Sequence, residues 1–217
     1  MKFSTRFQKS IKAPQSAKNI LKPGSNNKKL GFNIKSKRWA GSKLYSLTLV
    51  ERETCPRSCH HWDDCYGNNM PFAHRYSTLG LTEKLEQEIG ALCEKHKGGI
   101  TIRLHVLGDF FSTDYVTFWA KMLVSFPTLT LFGYTGRELN SDIGIAIKFL
   151  NMRFPERCVI RFSRNEEAQT QKSIRFAASE CFTGASFVCP EQTDKVKSCA
   201  DCGLCWTTPK TVRFLSH

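Results

Sequence analysis

The sequence has no apolar run near the ~18 residues of a membrane-spanning helix. A bilayer-spanning segment is therefore not expected. No apolar segment follows the basic N-terminal residues, so a secretory leader is not expected either. No internal repeat is present, which argues against a solenoid. The most informative absence concerns charge. Residues 1–50 contain twelve Lys and Arg and not one Asp or Glu, although the whole chain has 19 acids. The remaining residues are nearly balanced, with 20 basic against 19 acidic side chains. Almost all of the net charge of +13 thus resides in the first fifty residues.

With 217 residues, 41% hydrophobic and 24% charged, the chain is long and apolar enough for one globular core. Two units are expected: a basic, partly flexible arm over 1–43, and a single α/β metal-binding domain over 44–217 that ends in a Cys-rich segment, 185–217. An acid-free basic arm is the electrostatic footprint of a polyanion partner. Lys28, Lys29, Lys35, Lys37 and Arg38 are the expected nucleic-acid contacts. Trp39, with Phe32, is the expected stacking partner for bases. A solvated tail is the plainer reading of the same residues.

Ten cysteines are present. In a cytoplasmic protein thiols stay reduced, so clustered cysteines point to metal or catalysis and not to disulfides. Cys93 lies on a helical apolar stripe and Cys158 opens a strand, so both read as small buried hydrophobes. Cys181 stands alone. The other seven form two groups. Cys55, Cys59 and Cys65 have the spacing C-x3-C-x5-C. They suit a [4Fe–4S] cluster with one open iron, or zinc with His60 or His61 as a further ligand. Cys199, Cys202 and Cys205 form C-x2-C-x2-C, the opening of the bacterial ferredoxin pattern, and Cys189-Pro190 supplies the remote Cys-Pro. Here the remote cysteine precedes the run. Four thiolates also satisfy structural zinc, so the metal stays open between iron–sulfur and zinc.

Hydropathy patterning predicts strands over 44–50, 100–107, 129–135 and 158–163, with further short strands over 185–188 and 211–215. Helices are predicted over 72–97, from Ser112 or Thr113 to Pro127, and over 142–154. Residues 165–184 fit no element. Strand–helix alternation implies a mainly parallel sheet of about five or six strands, an open or partial (β/α) barrel. Chemistry in such sheets sits at the carboxyl ends of the strands. The first cysteine loop, Gly108-Asp109, Tyr134-Thr135 and Ser163-Arg164 all fall there. Asp109, His105 and Arg161 are the candidate catalytic groups: a rim carboxylate, an acid or base, and a bidentate anion holder. Plainer roles are a helix N-cap, a hydrogen-bonded core histidine and a salt bridge. Trp62 and Trp206, each beside a cysteine group, would shield a cluster or simply pack.

Two resemblances follow. Leu47-Thr48-Leu49, Thr54-Cys55-Pro56, Cys65-Tyr66 and Gly108-Asp109-Phe110 resemble the phage- and plasmid-borne family called gene product 88, from about Leu30 onward. That resemblance implies a place in the host cytoplasm and little mechanism. More distantly, a three-cysteine loop after the first strand of a partial barrel is similar to the radical S-adenosylmethionine enzymes. That similarity implies a [4Fe–4S] cluster on Cys55, Cys59 and Cys65, with Gly108, Asp109 and Tyr134 toward S-adenosylmethionine. It also implies an auxiliary cluster on Cys189, Cys199, Cys202 and Cys205. The second gap of five residues is longer than that superfamily's two, and Asp109 stands where it has Glu. The expected function is a radical-SAM-like iron–sulfur enzyme acting on nucleic acid or another polyanion. The alternative is a non-catalytic zinc or iron–sulfur protein that binds nucleic acid.

Overall fold

The computed structural model describes residues 4–36, 38–59, 61–166, 176–180 and 183–215. Lys37, His60 and Cys181 lie outside them. The strands are β1 (Ile11–Lys12), β2 (Lys22–Pro23), β3 (Lys43–Ser46), β4 (Arg75–Tyr76), β5 (Ile100–Leu104), β6 (Leu129–Thr135), β7 (Cys158–Glu166), β8 (Phe176–Glu180), β9 (Thr183–Val188) and β10 (Lys210–Leu215). The helices are α1 (Leu81–Lys95), α2 (Thr113–Ser125), α3 (Asp142–Arg153) and two single turns, α4 (Cys199–Cys202) and α5 (Leu204–Thr207).

The main sheet has the order β2-β3-β5-β6-β7-β8-β10-β9. Its centre, β3-β5-β6-β7, is parallel, as strand–helix alternation predicts. The sheet is open, with β2 and β9 as its edges. Antiparallel β8 pairs with β7 and with β10. The first of these strands arises from the polar stretch that fitted no element, because a partner on each side supplies the pairing its own patterning does not.

Helix positions follow local chemistry. Ser112 accepts from the N–H of Tyr115 and Ser141 from that of Gly144, so both serve as N-caps. The first helix starts at Leu81, later than the predicted 72, because Gly80 takes φ 68° just before it. Leu81, Leu85 and Ile89 of α1, Trp119 and Leu123 of α2, and Ile147 and Leu150 of α3 pack on Ile100, Ile102, Leu104, Leu131 and Ile160. Strand side chains alternate between faces. The opposite face therefore carries Thr101, Arg103, Thr130, Phe132, Tyr134 and Arg161.

No long helix among the described residues covers that second face. A separate core does so: Leu30, Ile34 and Trp39 from the basic segment, Leu44 and Phe132 from the sheet, and Cys199, Ala200 and Trp206 from the C-terminal segment. The indoles of Trp39 and Trp206 stack at 5.2 Å with an interplanar angle of 10°. Trp39 Nε1 donates to Glu156 O at 2.9 Å. Backbone bonds knit the two segments: Cys199 N to Lys29 O (2.8 Å), Ala200 N to Leu30 O (2.9 Å) and Lys35 N to Ala200 O (2.9 Å).

Further contacts join the basic segment to the body. The basic segment lies along the body. Ile20 and Leu21 are buried in the main core, and their N–H groups donate to the Glu88 carboxylate at 2.7 and 2.9 Å. Trp39 is only 6% exposed and stacks on another indole, so its ring is not open to a base. Phe32 lies edge-on to Tyr45 at 5.6 Å. Lys29 pairs with Glu191 (3.0 Å), Lys35 with Asp201 (2.8 Å) and Arg38 with Glu156 (3.2 Å). Lys28 is exposed. The sequence concentrates basic residues here partly because acids of the C-terminal segment meet them. No helix among the described residues is long and apolar enough to cross a membrane.

Trp39→Ala would open a cavity between the two segments. We expect it to lower the unfolding free energy by about 3–5 kcal/mol, measured by urea denaturation. A loss under ~0.5 kcal/mol, as for an exposed side chain, would contradict the packing.

Candidate metal centre

The first cysteine loop begins where the parallel ladder ends. Beyond β3, Leu47 N bonds Arg103 O (3.2 Å) and Leu49 N bonds Leu107 O (3.0 Å). The chain then turns at Arg52, which takes φ 69°. A non-glycine residue there costs on the order of 1–3 kcal/mol and persists only where surrounding contacts dictate it. Arg52 holds the loop from within, donating from Nε to Trp62 O (3.0 Å) and from Nη2 to Asn68 Oδ1 (2.9 Å). Arg75 holds the loop's exit. It is 0% exposed and donates to Gly67 O (2.9 Å), Met70 O (3.0 Å) and Ala73 O (2.8 Å). Its Nε reaches Glu51 Oε2 at 2.7 Å. Glu51 is 1% exposed, and its Oε1 has no hydrogen-bond partner.

Burial pushes the thiols of Cys55, Cys59 and Cys65 up, Cys55 to about 12. Each sulfur nevertheless accepts a backbone N–H that favours the thiolate: Arg52 N–H on Cys55, His61 N–H on Cys59 and Gly67 N–H on Cys65. Cys55 feels the charge of Asp109, Cys59 and Cys65. One loop thus gathers three thiols beside one carboxylate.

Asp109 is the knot of this rim. Its Oδ1 accepts from Thr135 Oγ1 and from Phe110 N, both at 2.7 Å, and its Oδ2 from Gly136 N at 2.7 Å. Its own N–H donates to Thr54 Oγ1 at 3.1 Å. Arg137 closes the ring by donating to Phe110 O (2.7 Å) and Thr54 O (2.6 Å). The carboxylate therefore ties the ends of β5 and β6 to the residue before Cys55. It does not cap α2. Burial pushes it up to about 6 against these donors. Gly108, at φ 83°, lets the chain pass: a Cβ there would lie 2.6 Å from Thr54 Oγ1 and 2.7 Å from Leu49 Cβ.

His105 lies elsewhere. Its Nε2 shares a 3.1 Å hydrogen bond with Tyr115 Oη, Phe110 packs edge-on at 4.8 Å, and Nδ1 has no partner. Burial pushes it down to about 3. Tyr115 and Phe110 belong to the helix-side core, so His105 stands among core aromatics and away from the cysteine loop. Arg161 is 1% exposed and spends its donors on the C-terminal segment: Cys205 O (2.7 Å), Lys210 O (3.0 Å) and Thr208 O. It clasps backbone.

The second cysteine group converges. Cys189, Cys199, Cys202 and Cys205 all line one small pocket. Cys189 is delivered from the end of β9, its N–H bonded to Arg213 O at 2.8 Å. Its charge is felt by each of the other three thiols. Gly203, at φ 68°, makes the turn between Cys202 and Cys205; a Cβ would lie 2.3 Å from Ser36 Cβ. Burial pushes Cys199 up to about 12 and raises Cys202 and Cys205. Leu204 N–H donates to the Cys202 sulfur, and Tyr134 Oη donates to Cys205 Sγ at 3.0 Å. Tyr134, expected beside the first group, is thus joined to the second. Trp206 is buried against Phe132 at 4.7 Å and walls the pocket. Among the described residues, no group of three or more His, Cys, Asp or Glu side chains is arranged to hold a metal ion.

Sequence reading missed Glu51, Arg52, Arg75 and Arg137. Charged residues in a loop look solvated until the fold closes around them. The one available signal was their position, flanking a cysteine motif at a strand end.

A family model, gene product 88, matches residues 15–199. The chain belongs to the gene product 88 family. The gene 88 protein of Mycobacterium phage D29 is 27% identical over 183 residues, covering 77% of this chain and 74% of that protein. The gene 88 protein of Mycobacterium phage L5 is 25% identical over 188 residues, with the same coverage. No solved structure matches. The comparisons bear out the gene product 88 resemblance and lend no support to the one with radical S-adenosylmethionine enzymes. The gene product 88 match spans Cys55, Cys59, Cys65, Cys189 and Cys199.

Two expected outcomes follow from the rim. Asp109→Asn would set an amide N–H₂ against the Gly136 N–H, and should destabilise the chain by about 1–3 kcal/mol in urea denaturation. His105 is held neutral in the folded state, so its contribution to stability is complete above pH 6.5 and lost as pH falls toward 3. The slope of that loss is about 1.4 kcal/mol per pH unit at most. Asp109, with a raised value, runs the other way, losing its contribution as pH rises through 6. His105→Phe should therefore flatten the acid limb of a thermal-midpoint profile, and an unchanged limb would refute this.

Proposed function

We propose that the chain is an iron–sulfur protein. Cys189, Cys199, Cys202 and Cys205 would hold one [4Fe–4S] cluster. Cys55, Cys59 and Cys65 would hold a second with one position open. The observation that carries this reading is the convergence of all four C-terminal thiols on one pocket, with hydrogen-bond donors on the sulfurs of Cys202 and Cys205. Buried neutral thiols need no such donors, whereas metal-bound thiolates are tuned by them.

The C-x2-C-x2-C spacing, the opening of the bacterial ferredoxin pattern, is what favours a cluster over zinc. Bound there, a cluster would supply one-electron chemistry. The residues of this chain do the rest: Arg161 and Gly203 shape the C-terminal loop, Trp206 excludes water, and Tyr134 holds a hydrogen bond to Cys205. At the three-cysteine group, Asp109 and Arg137 position the loop.

The finer reading, a radical-SAM-like enzyme using S-adenosylmethionine at the open position, draws on the three-cysteine loop and its place after the first parallel strand. A polyanionic substrate draws on the net charge of +13. Among the proposed contacts the exposed Lys28 is the best placed, since Lys29, Lys35 and Arg38 are paired with acids.

Variants separate the two groups. On anaerobically purified protein, Cys202→Ala should remove about half the iron and acid-labile sulfide, and Cys59→Ala the other half. Cys93→Ala, on the helix side, should retain both. Iron content indifferent to Cys202 and Cys59 would refute the assignment.

A further inference from the structure

Among the described residues, the second face of the sheet carries a guanidinium that the fold leaves without a partner. Arg103 is the penultimate residue of β5, opposite Ser46 on β3 and Phe132 on β6. It is half-buried. Arg75 spends its donors on a carboxylate and three carbonyls, Arg137 on two carbonyls and Arg161 on three. Among the described residues the Arg103 guanidinium makes no hydrogen bond and no ion pair. Beside it is Tyr66, which follows Cys65 in the first loop and whose hydroxyl also has no hydrogen-bond partner among the described residues. Tyr66 is 41% exposed. Tyr134, Cys199 and Cys205 are also near enough to act electrostatically on Arg103.

We propose that Arg103, with the Tyr66 hydroxyl, binds an oxyanion of a small-molecule ligand, a carboxylate or a phosphate, at the carboxyl end of β5. Three independent features point there. The position is the carboxyl end of a central parallel strand, where ligands of open α/β sheets bind. A guanidinium partly removed from water, with five donors unused, has lost hydration and gained no partner; a planar oxyanion supplies both charge and fork geometry. The residue also remains partly open to solvent, so a ligand can reach it. The site is formed by this chain's own residues and does not depend on which metal the thiols hold.

Thermal unfolding of the full-length chain with added pyrophosphate and, separately, succinate tests the proposal. One of the two should raise the midpoint saturably, and the better anion identifies the phosphate or carboxylate class. Arg103→Gln should abolish the rise, and Arg103→Lys should weaken it several-fold because the fork is lost. Lys28→Gln should leave it intact, which separates the site from general attraction to a basic surface. If Arg103→Gln does not fold, Tyr66→Phe provides the second arm: at least a threefold weaker response is expected. No rise with either anion, or an equal rise in the parent and in the Arg103 or Tyr66 variant, would overturn the inference.

Discussion

The structure depends on a covering problem. Three helices pack one face of the sheet, and the other face carries Thr101, Arg103, Phe132, Tyr134 and Arg161 with no long helix above it. A sheet face of mixed polarity cannot be left half-wet, because unpaired buried polar groups are costly. The basic N-terminal segment and the Cys-rich C-terminal segment jointly cover it. Their stacked indoles, Trp39 and Trp206, are the apolar centre of that cover, and the ion pairs Lys29–Glu191 and Lys35–Asp201 lie along it. Surface pairs of this kind contribute little to stability by themselves. They help set which segment lies against which, and so the register of the cysteines.

That cover brings the C-terminal cysteine group onto the second face of the sheet, whereas the first group sits in the loop beyond β3. Cys55, Cys59 and Cys65 leave the sheet at the carboxyl end of β3. Cys199, Cys202 and Cys205 come back over β6 and β7, held by Arg161 and by the main chain of residues 29–35. Tyr66 from the first cysteine segment and Cys199 and Cys205 from the second all act electrostatically on Arg103. The His105 imidazole belongs to the helix-side aromatic core and is kept neutral there.

Much of this was legible in sequence, for identifiable reasons. The parallel strands and helices followed from strong periodicity, and Ser112 announced a cap. The pairing of Cys189-Pro190 with the C-x2-C-x2-C run followed from a spacing with a geometric cause. The role of the basic segment was not legible. Lysines without neighbouring acids look like a polyanion footprint, yet their acids, Asp201, Glu191 and Glu156, lie more than a hundred residues away. Trp39 looked like a stacking platform for the same reason: its partner, Trp206, is near the other end of the chain. The antiparallel strands around 176–215 were faint because long-range pairing, not local pattern, creates them.

The most direct test of the central claim is X-ray absorption at the metal edges of the anaerobically purified, full-length protein. The account predicts iron in a sulfur-only first shell with a second shell of iron, the signature of a cluster. Zinc alone at the edge, or iron without an iron neighbour, would contradict it.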